Sequence, residues 1–196
     1  MALKLPASAH TDRPWRIHEI APDFRLEDVW ALPATGGPDD FPELLEQMTS
    51  GENPLPGVAG VLLAIRRRLG RLLGWDKEGS GLDGRVPSLR DRLPDDLRDR
   101  PAGPAPRSLS FRPLYLTGDE WAAEMANRTV HGVMHLSWVP DGSGVHRAHM
   151  AVLVKPNGLF GRAYMAAILP FRYTLVYPAL MRTIGRAWKA REAKPA

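Results

Sequence analysis

Two stretches in the C-terminal half alternate apolar and polar positions with a period of two. Along 129–139, Val130, Met134, Leu136 and Trp138 share one side, and along 145–155 Ala148, Met150, Val152 and Val154 do the same. The other side holds His131, His135 and Ser137, then Arg147, His149 and Lys155. This sidedness predicts two antiparallel strands with one buried and one solvated face. The Pro-Asp-Gly-Ser-Gly run at 140–144 joins them as a hairpin. After the Pro-Asn-Gly turn at 156–158 the period becomes helical, with a bend or break at Pro170 and Pro178. Tyr173, Val176, Tyr177, Leu180, Met181, Ile184 and Trp188 form one stripe, opposed by Arg182, Arg186 and Lys189. Such a helix buries its stripe against a sheet.

Upstream, 58–75 carries the clearest helical pattern. Val58, Val61, Leu62, Ile65, Leu69, Leu72 and Leu73 fall within about 120° of one another on a helical wheel. Arg67 and Arg71 oppose them, Arg66 and Arg68 flank them, and Leu63 breaks the pattern. A shorter helix starts at Asp39-Asp40, ahead of Phe41-Pro42-Glu43, and ends near Gly51. Residues 15–20, 24–32 and 111–117 read as strands. Residues 120–126 read either way: Ala, Glu and Met favour helix, and a place in a meander favours strand. Residues 1–14 read as a flexible arm ahead of a single domain, 15–196. Within that domain, 76–107 is a Pro- and Gly-rich insertion, either a surface loop or a lid over a cavity, with one short capped turn in 88–97.

At 196 residues and 44% hydrophobic, the chain can bury a core of ordinary size. It has no cysteine, which removes thiolate nucleophiles, disulfides and Cys-ligated zinc and suits a cytoplasmic setting. Its Arg-, Ala-, Gly- and Pro-rich composition reads as bacterial. The net charge of +4 is too small to indicate nucleic acid as a partner. The N-terminus lacks the apolar core of a signal peptide. The most apolar stretch, 158–180, is interrupted by Arg162, Pro170, Arg172 and Pro178, so no transmembrane segment is expected.

Several local sequences resemble a bacterial family of unknown function. They are Asn-Arg-Thr-Val-His-Gly-Val-Met-His-Leu-Ser-Trp-Val at 127–139, Val-Lys-Pro-Asn-Gly at 154–158, Gly-Arg-Ala-Tyr at 161–164, and Pro-Phe-Arg-Tyr-Thr-Leu-Val-Tyr-Pro at 170–178. That family is associated with the helix-grip superfamily (SRPBCC, the START and pollen-allergen-like fold), and some members follow short-chain-dehydrogenase-like domains. The resemblance covers roughly 14–188. It implies a curved antiparallel sheet wrapped around a long C-terminal helix, with an apolar cavity between them. It carries over no catalytic residue, and the fold alone does not select a function.

Chemical motifs are sparse. His131 and His135 have the spacing of a helical zinc site, but Gly132 stands where a metalloprotease places Glu. On a strand they lie about 13 Å apart, too far to share an ion. His146 and His149 point to opposite faces, and a His135–His149 cross-strand pair supplies only two ligands. These histidines read as exposed or hydrogen-bonded sheet residues, with proton transfer as the sharper alternative. No nucleophile elbow, phosphate loop or dinucleotide fingerprint is present, so neither metal nor cofactor is expected.

The expectation is therefore an α+β helix-grip protein with one or two helices inserted after the N-terminal strand. It binds a small hydrophobic or aromatic ligand, as a carrier or as a cofactor-free cyclase, isomerase or lyase. The contact residues are Met134, Leu136, Trp138, Met150 and Val152 on the sheet and Tyr173, Tyr177, Met181, Ile184 and Trp188 on the helix. Whether a reaction occurs is left open by these residues. The alternative is an accessory module that contacts a membrane surface or a protein through helix 58–75. A homodimer is compatible with either reading.

Overall fold

A computed structural model describes residues 3–50, 82, 84, 86–107, 110–158, 166, 170 and 172–192. In chain order the N-terminal elements are β1 (Leu3–Leu5), α1 (Ser8–Thr11), α2 (Ile17–Ile20), β2 (Arg25–Gly36) and α3 (Phe41–Thr49). A 3-10 turn (Leu89–Arg92) and α4 (Asp95–Arg98) precede β3 (Arg112–Leu116), β4 (Glu120–Ala126), β5 (Val130–Pro140) and β6 (His146–Pro156). A π-helical turn (Arg172–Val176) then leads into α5 (Tyr177–Glu192). The helix read at 58–75 lies outside the described residues.

The strands form one antiparallel sheet in the order β1-β2-β6-β5-β4-β3. Its centre is the expected hairpin, with Met134 opposite Val152, Leu136 opposite Met150 and Trp138 opposite Ala148. Gly142 and Gly144 take positive φ in the connection, where Asp141 accepts bonds from the backbone N–H and hydroxyl of Ser143. Residues 120–126 resolve as strand, since β4 pairs along its whole length with β5. Bulges in β2 and β3 bend the sheet. The result is the α+β arrangement expected of a helix grip, with α5 packed on β2 and α3.

One face of the sheet carries Leu32, Ala34, Trp121, Leu136, Trp138, Ala148 and Met150 beneath Phe41, Leu44 and Leu45 of α3 and Tyr177, Met181, Ile184 and Trp188 of α5. Trp138 and Trp188 tie this layer to the backbone, donating their indole N–H groups to the carbonyls of Gly37 and Thr35. The opposite face, expected to be solvated, is buried as well. Val133, Val139, Ala151 and Leu153 pack there against Trp15, Ile17, Ile20, Phe24, Leu89, Leu93 and Leu97. Those covering segments are too short to show a hydrophobic period, so the strand pattern alone left that face open.

Three local readings change with this second layer. The arm expected at 1–14 contains an edge strand, Leu3–Leu5, paired with Val29–Ala31, and a helical turn that buries His10. Residues 17–20 form a helical turn rather than a strand, because Ile17 and Ile20 must both face the sheet from one short segment. The described part of 76–107 is anchored. Ser88 caps its 3-10 turn by accepting from the Arg90 N–H, and Leu89, Leu93 and Leu97 are buried. Gly103, at φ 83°, lies so close to Trp121 that an added Cβ would stand 2.7 Å from Cδ1.

If this segment is structural rather than a lid, Leu97→Ala costs about 2–5 kcal/mol, as expected for truncation of a buried leucine. Denaturant titration checks this. A midpoint equal to that of the parent protein would mean that 86–98 contributes no packing and opens freely.

Candidate functional site

The residues expected to hold a ligand divide into three settings. Leu136, Trp138, Met150, Tyr177, Met181, Ile184 and Trp188 are buried together in the core beneath α5. Met134 and Tyr173 sit half-buried at its margin, and Val152 packs instead at the edge of a small cluster with Val130 and Val154. The register explains the gradient. Trp30, Met150, Leu136 and Trp121 form one row across the sheet, and Asp28, Val152, Met134 and Ala123 form the next. In the first row Trp121, Leu136 and Met150 are buried, and Trp30 is half-buried beside Tyr177 of α5. The second carries half-buried Val152 and Met134.

A polar corner adjoins that half-open row. Asp28 is only 3% exposed, and its carboxylate accepts from Trp30 Nε1 at 2.6 Å and from the Arg172 guanidinium at 2.9 Å. Arg172 also donates to the Tyr177 hydroxyl at 2.5 Å, and burial pushes that phenol above its ordinary range so that it stays protonated. Trp30, Tyr173 and Tyr177 form an aromatic group with centroid separations of 4.7–6.1 Å. Lys4 reaches in from β1, donating to the Tyr173 hydroxyl at 3.1 Å and lying 4.3 Å from its ring centroid. Arg172 and Tyr173 belong to the π-helical turn, a feature that often marks functional positions. Asp28 and Trp30 carried no sequence signal beyond their place in a strand.

The histidines are not on a wet surface. His131 and His135 are 4% and 0% exposed, each on a carboxylate of β4. His135 Nε2 lies 2.9 Å from Glu120 Oε2, which also accepts from the Tyr115 hydroxyl at 2.9 Å. The other oxygen of Glu120 accepts the backbone N–H of Arg16 at 3.0 Å. On its far side, His135 Nδ1 meets His10 Nε2 at 3.2 Å, and His10 Nδ1 meets His18 Nε2 at 3.1 Å. Three imidazoles thus run head to tail from α2 through α1 to β5. His10 spends both nitrogens in this chain. Among the described residues no set of three or more His, Asp or Glu converges as metal ligands.

A second seat lies beside it. His131 Nε2 is 2.8 Å from Glu124 Oε2, which also accepts the Leu89 N–H at 3.0 Å, and the Ser88 hydroxyl donates to Oε1. Burial works against the charge of Glu124, but these bonds outweigh it and hold the carboxyl below its ordinary value. Glu124 therefore pins the 3-10 turn to the sheet.

A separate cleft of about 480 Å³ opens between α3, the loop 104–107 and β3, lined by Leu45, Thr49, Pro104, Arg107 and Leu116 among others. None of the ten expected ligand contacts lines it. Among the described residues no helix is long and apolar enough to cross a membrane.

These features define an α+β protein whose antiparallel sheet is crossed by its C-terminal helix and bears a polar aromatic corner on that face. The chain belongs to the family described as protein of unknown function (DUF2867), whose model matches residues 20–179. No curated protein and no solved structure matches the chain.

Burial holds His10 at about 3 and His149 at about 4, below the ordinary 6.5, with charge repulsion from neighbouring imidazoles or arginines adding to the effect. In the unfolded chain these rings take up protons below about pH 6.5, whereas in the folded protein they do so only near pH 4 and 3. Stability therefore falls as pH drops through the window between 6.5 and 3. For His10 the loss by pH 4.5 is roughly 1–3 kcal/mol. Urea titrations across this range measure it. His10→Gln, which cannot titrate, makes the decline shallower, and an unchanged slope would remove His10 from the effect.

Proposed function

We propose that this protein binds a small aromatic or hydrophobic molecule between its sheet and the start of the C-terminal helix, on the half-open row of Met134 and Val152. The carrying observation is the corner itself: half-buried Trp30 and Tyr173 stand beside a buried Asp28–Arg172 pair on an otherwise apolar sheet face. Binding sites commonly combine an apolar lining with a few fixed polar groups. Met134 adapts to ligand shape, and the tyrosine hydroxyls orient an oxygen-bearing group. The sealed residues, Leu136, Trp138, Met150, Met181, Ile184 and Trp188, act as the rigid floor. The likeness of 127–139 and 170–178 to a family associated with the helix-grip superfamily supports the same placement, and a cofactor-free cyclase, isomerase or lyase is the reaction class that suits it.

A panel of aromatic and polycyclic compounds, with and without carboxyl groups, tests this by calorimetry and by NMR mapping of indole resonances. A binder shifts the Trp30 Nε1–H signal. Tyr173→Phe weakens it by about 0.5–1.5 kcal/mol, the net worth of one hydrogen bond, and Met134→Ala admits larger compounds. Arg172 is a poor test position, since its removal strands the buried Asp28 carboxylate at a cost of about 3–5 kcal/mol. Shifts confined to Thr49 and Arg107 would move the site to the α3 cleft and end this reading.

A further inference from the structure

We propose that His18, His10, His135 and Glu120 form a proton relay, with His18 as the port that exchanges protons between solvent and the buried carboxylate. It lies on the sheet face opposite the corner above and does not depend on that reading.

The hydrogen-bond pattern carries the assignment. A neutral imidazole has one N–H donor and one acceptor nitrogen. Glu120 already accepts from the Arg16 N–H and the Tyr115 hydroxyl, both obligate donors towards it. His135 completes the set by donating from Nε2, which leaves its Nδ1 as an acceptor for His10 Nε2–H. His10 Nδ1 is then an acceptor for His18 Nε2–H. One carboxylate thus sets the tautomer of three successive rings. The chain ends at half-buried His18, whose Nδ1 carries a lone pair and bonds to no described residue.

This row can pass a proton without losing a bond. A proton from solvent adds to His18 Nδ1, and the Nε2–H of His18 moves to His10 Nδ1. The Nε2–H of His10 moves to His135 Nδ1, and that of His135 moves to Glu120 Oε2. Three N–H bonds break, three N–H bonds and one O–H bond form, and one proton has been taken up. Every ring is then an Nδ1–H tautomer, and the three bonds along the row survive with their direction reversed. The Tyr115 phenol, pushed well above its ordinary range mainly by burial, stays a donor throughout.

The surroundings favour transfer over a trapped charge. Trp15 packs against His135 at 5.6 Å, and its ring shields the middle of the row. Burial holds both His10 and His18 below the ordinary imidazole value, so a charge does not rest on either ring near neutral pH. Around the row, His149 on β6 acts on His10 through space, and the Arg16 N–H and Tyr115 hydroxyl bond to Glu120; in the next layer Arg13 and Arg147 act on His149, and Glu19 on α2 and Asp96 on α4 hold the Arg16 guanidinium. Glu120 is the acid that raises His18's affinity for a proton through space.

The test uses the full chain with ¹⁵N-labelled histidine. At neutral pH all three rings should be Nε2–H tautomers, with couplings across the His18–His10 and His10–His135 bonds. His135 or His10 carrying its proton on Nδ1 at pH 7 overturns the proposal. Transport is read from solvent exchange of the His135 Nε2–H. His18→Gln keeps a donor for His10 but removes the port, and as a substitution at a half-buried position it leaves the fold in place. Exchange should slow several-fold in that variant. Exchange at the parent rate means that the row is a static clasp and overturns the relay. Glu120→Gln, where it folds, should lower the titration midpoint of His18, because it removes the charge that favours the protonated ring.

Discussion

The bonds from Glu120 to His135 and from Glu124 to His131 decide how this molecule closes. A sheet covered on one face leaves alternate residues in water, and their polarity costs nothing. Here both faces are covered, so each polar side chain on the second face needs a partner inside the protein. Two carboxylates of β4 and two imidazoles of β5 meet that need for one another. They also reach outward, Glu120 to the Arg16 backbone and Glu124 to the Leu89 backbone. The same four side chains satisfy the sheet and locate the two segments that cover it.

This dependence explains why so much of the second layer is short. The segments Ser8–Thr11, Ile17–Ile20 and Asp95–Arg98 are single helical turns, with no helix stability of their own. What holds them is a few buried side chains, Ile17, Ile20 and Leu97 among them, together with the bonds to the β4 carboxylates. Surface ion pairs such as Arg16–Asp96 and Arg92–Asp23 lie at the rim and add little.

Much of the first face was legible in the sequence. Period-two alternation, a Gly-rich turn and a helical stripe each came from a single uninterrupted segment, and each segment carried its own signal. The second face was not legible, because its cover comes from residues near 10–20 and 88–98 that no local period connects to the sheet. One signal was present and masked. Read as a strand, 120–126 puts Glu120 and Glu124 on one face, and the observed register sets them diagonal to His135 and His131. The helical propensity of Ala, Glu and Met in that stretch hid the pairing, a case of tertiary context overriding local preference. The corner at Asp28 was invisible for a different reason. A lone acid in a strand becomes informative only once Arg172, 144 residues away, is known to reach it.

Strand alternation also relates the two proposed sites. Met134 faces the helix and His135 faces the relay, and on β6 Val152 and Ala151 divide in the same way. The sites therefore share strands but no side chains. A ligand that shifts β5 by a few tenths of an ångström at Met134 moves the next peptide, and with it the His135 ring. Hydrogen bonds between rings weaken steeply with misalignment, so the relay would register such a shift even where the packed core absorbs it. The stiffness of the sheet sets the strength of that link. Its central pair, β5 and β6, is matched over eleven consecutive positions, from Val130↔Pro156 to Pro140↔His146, with no bulge between them. Among the described strands, the register shifts lie in the β2–β6 and β3–β4 ladders, where they bend the sheet while the β5–β6 ladder stays in register.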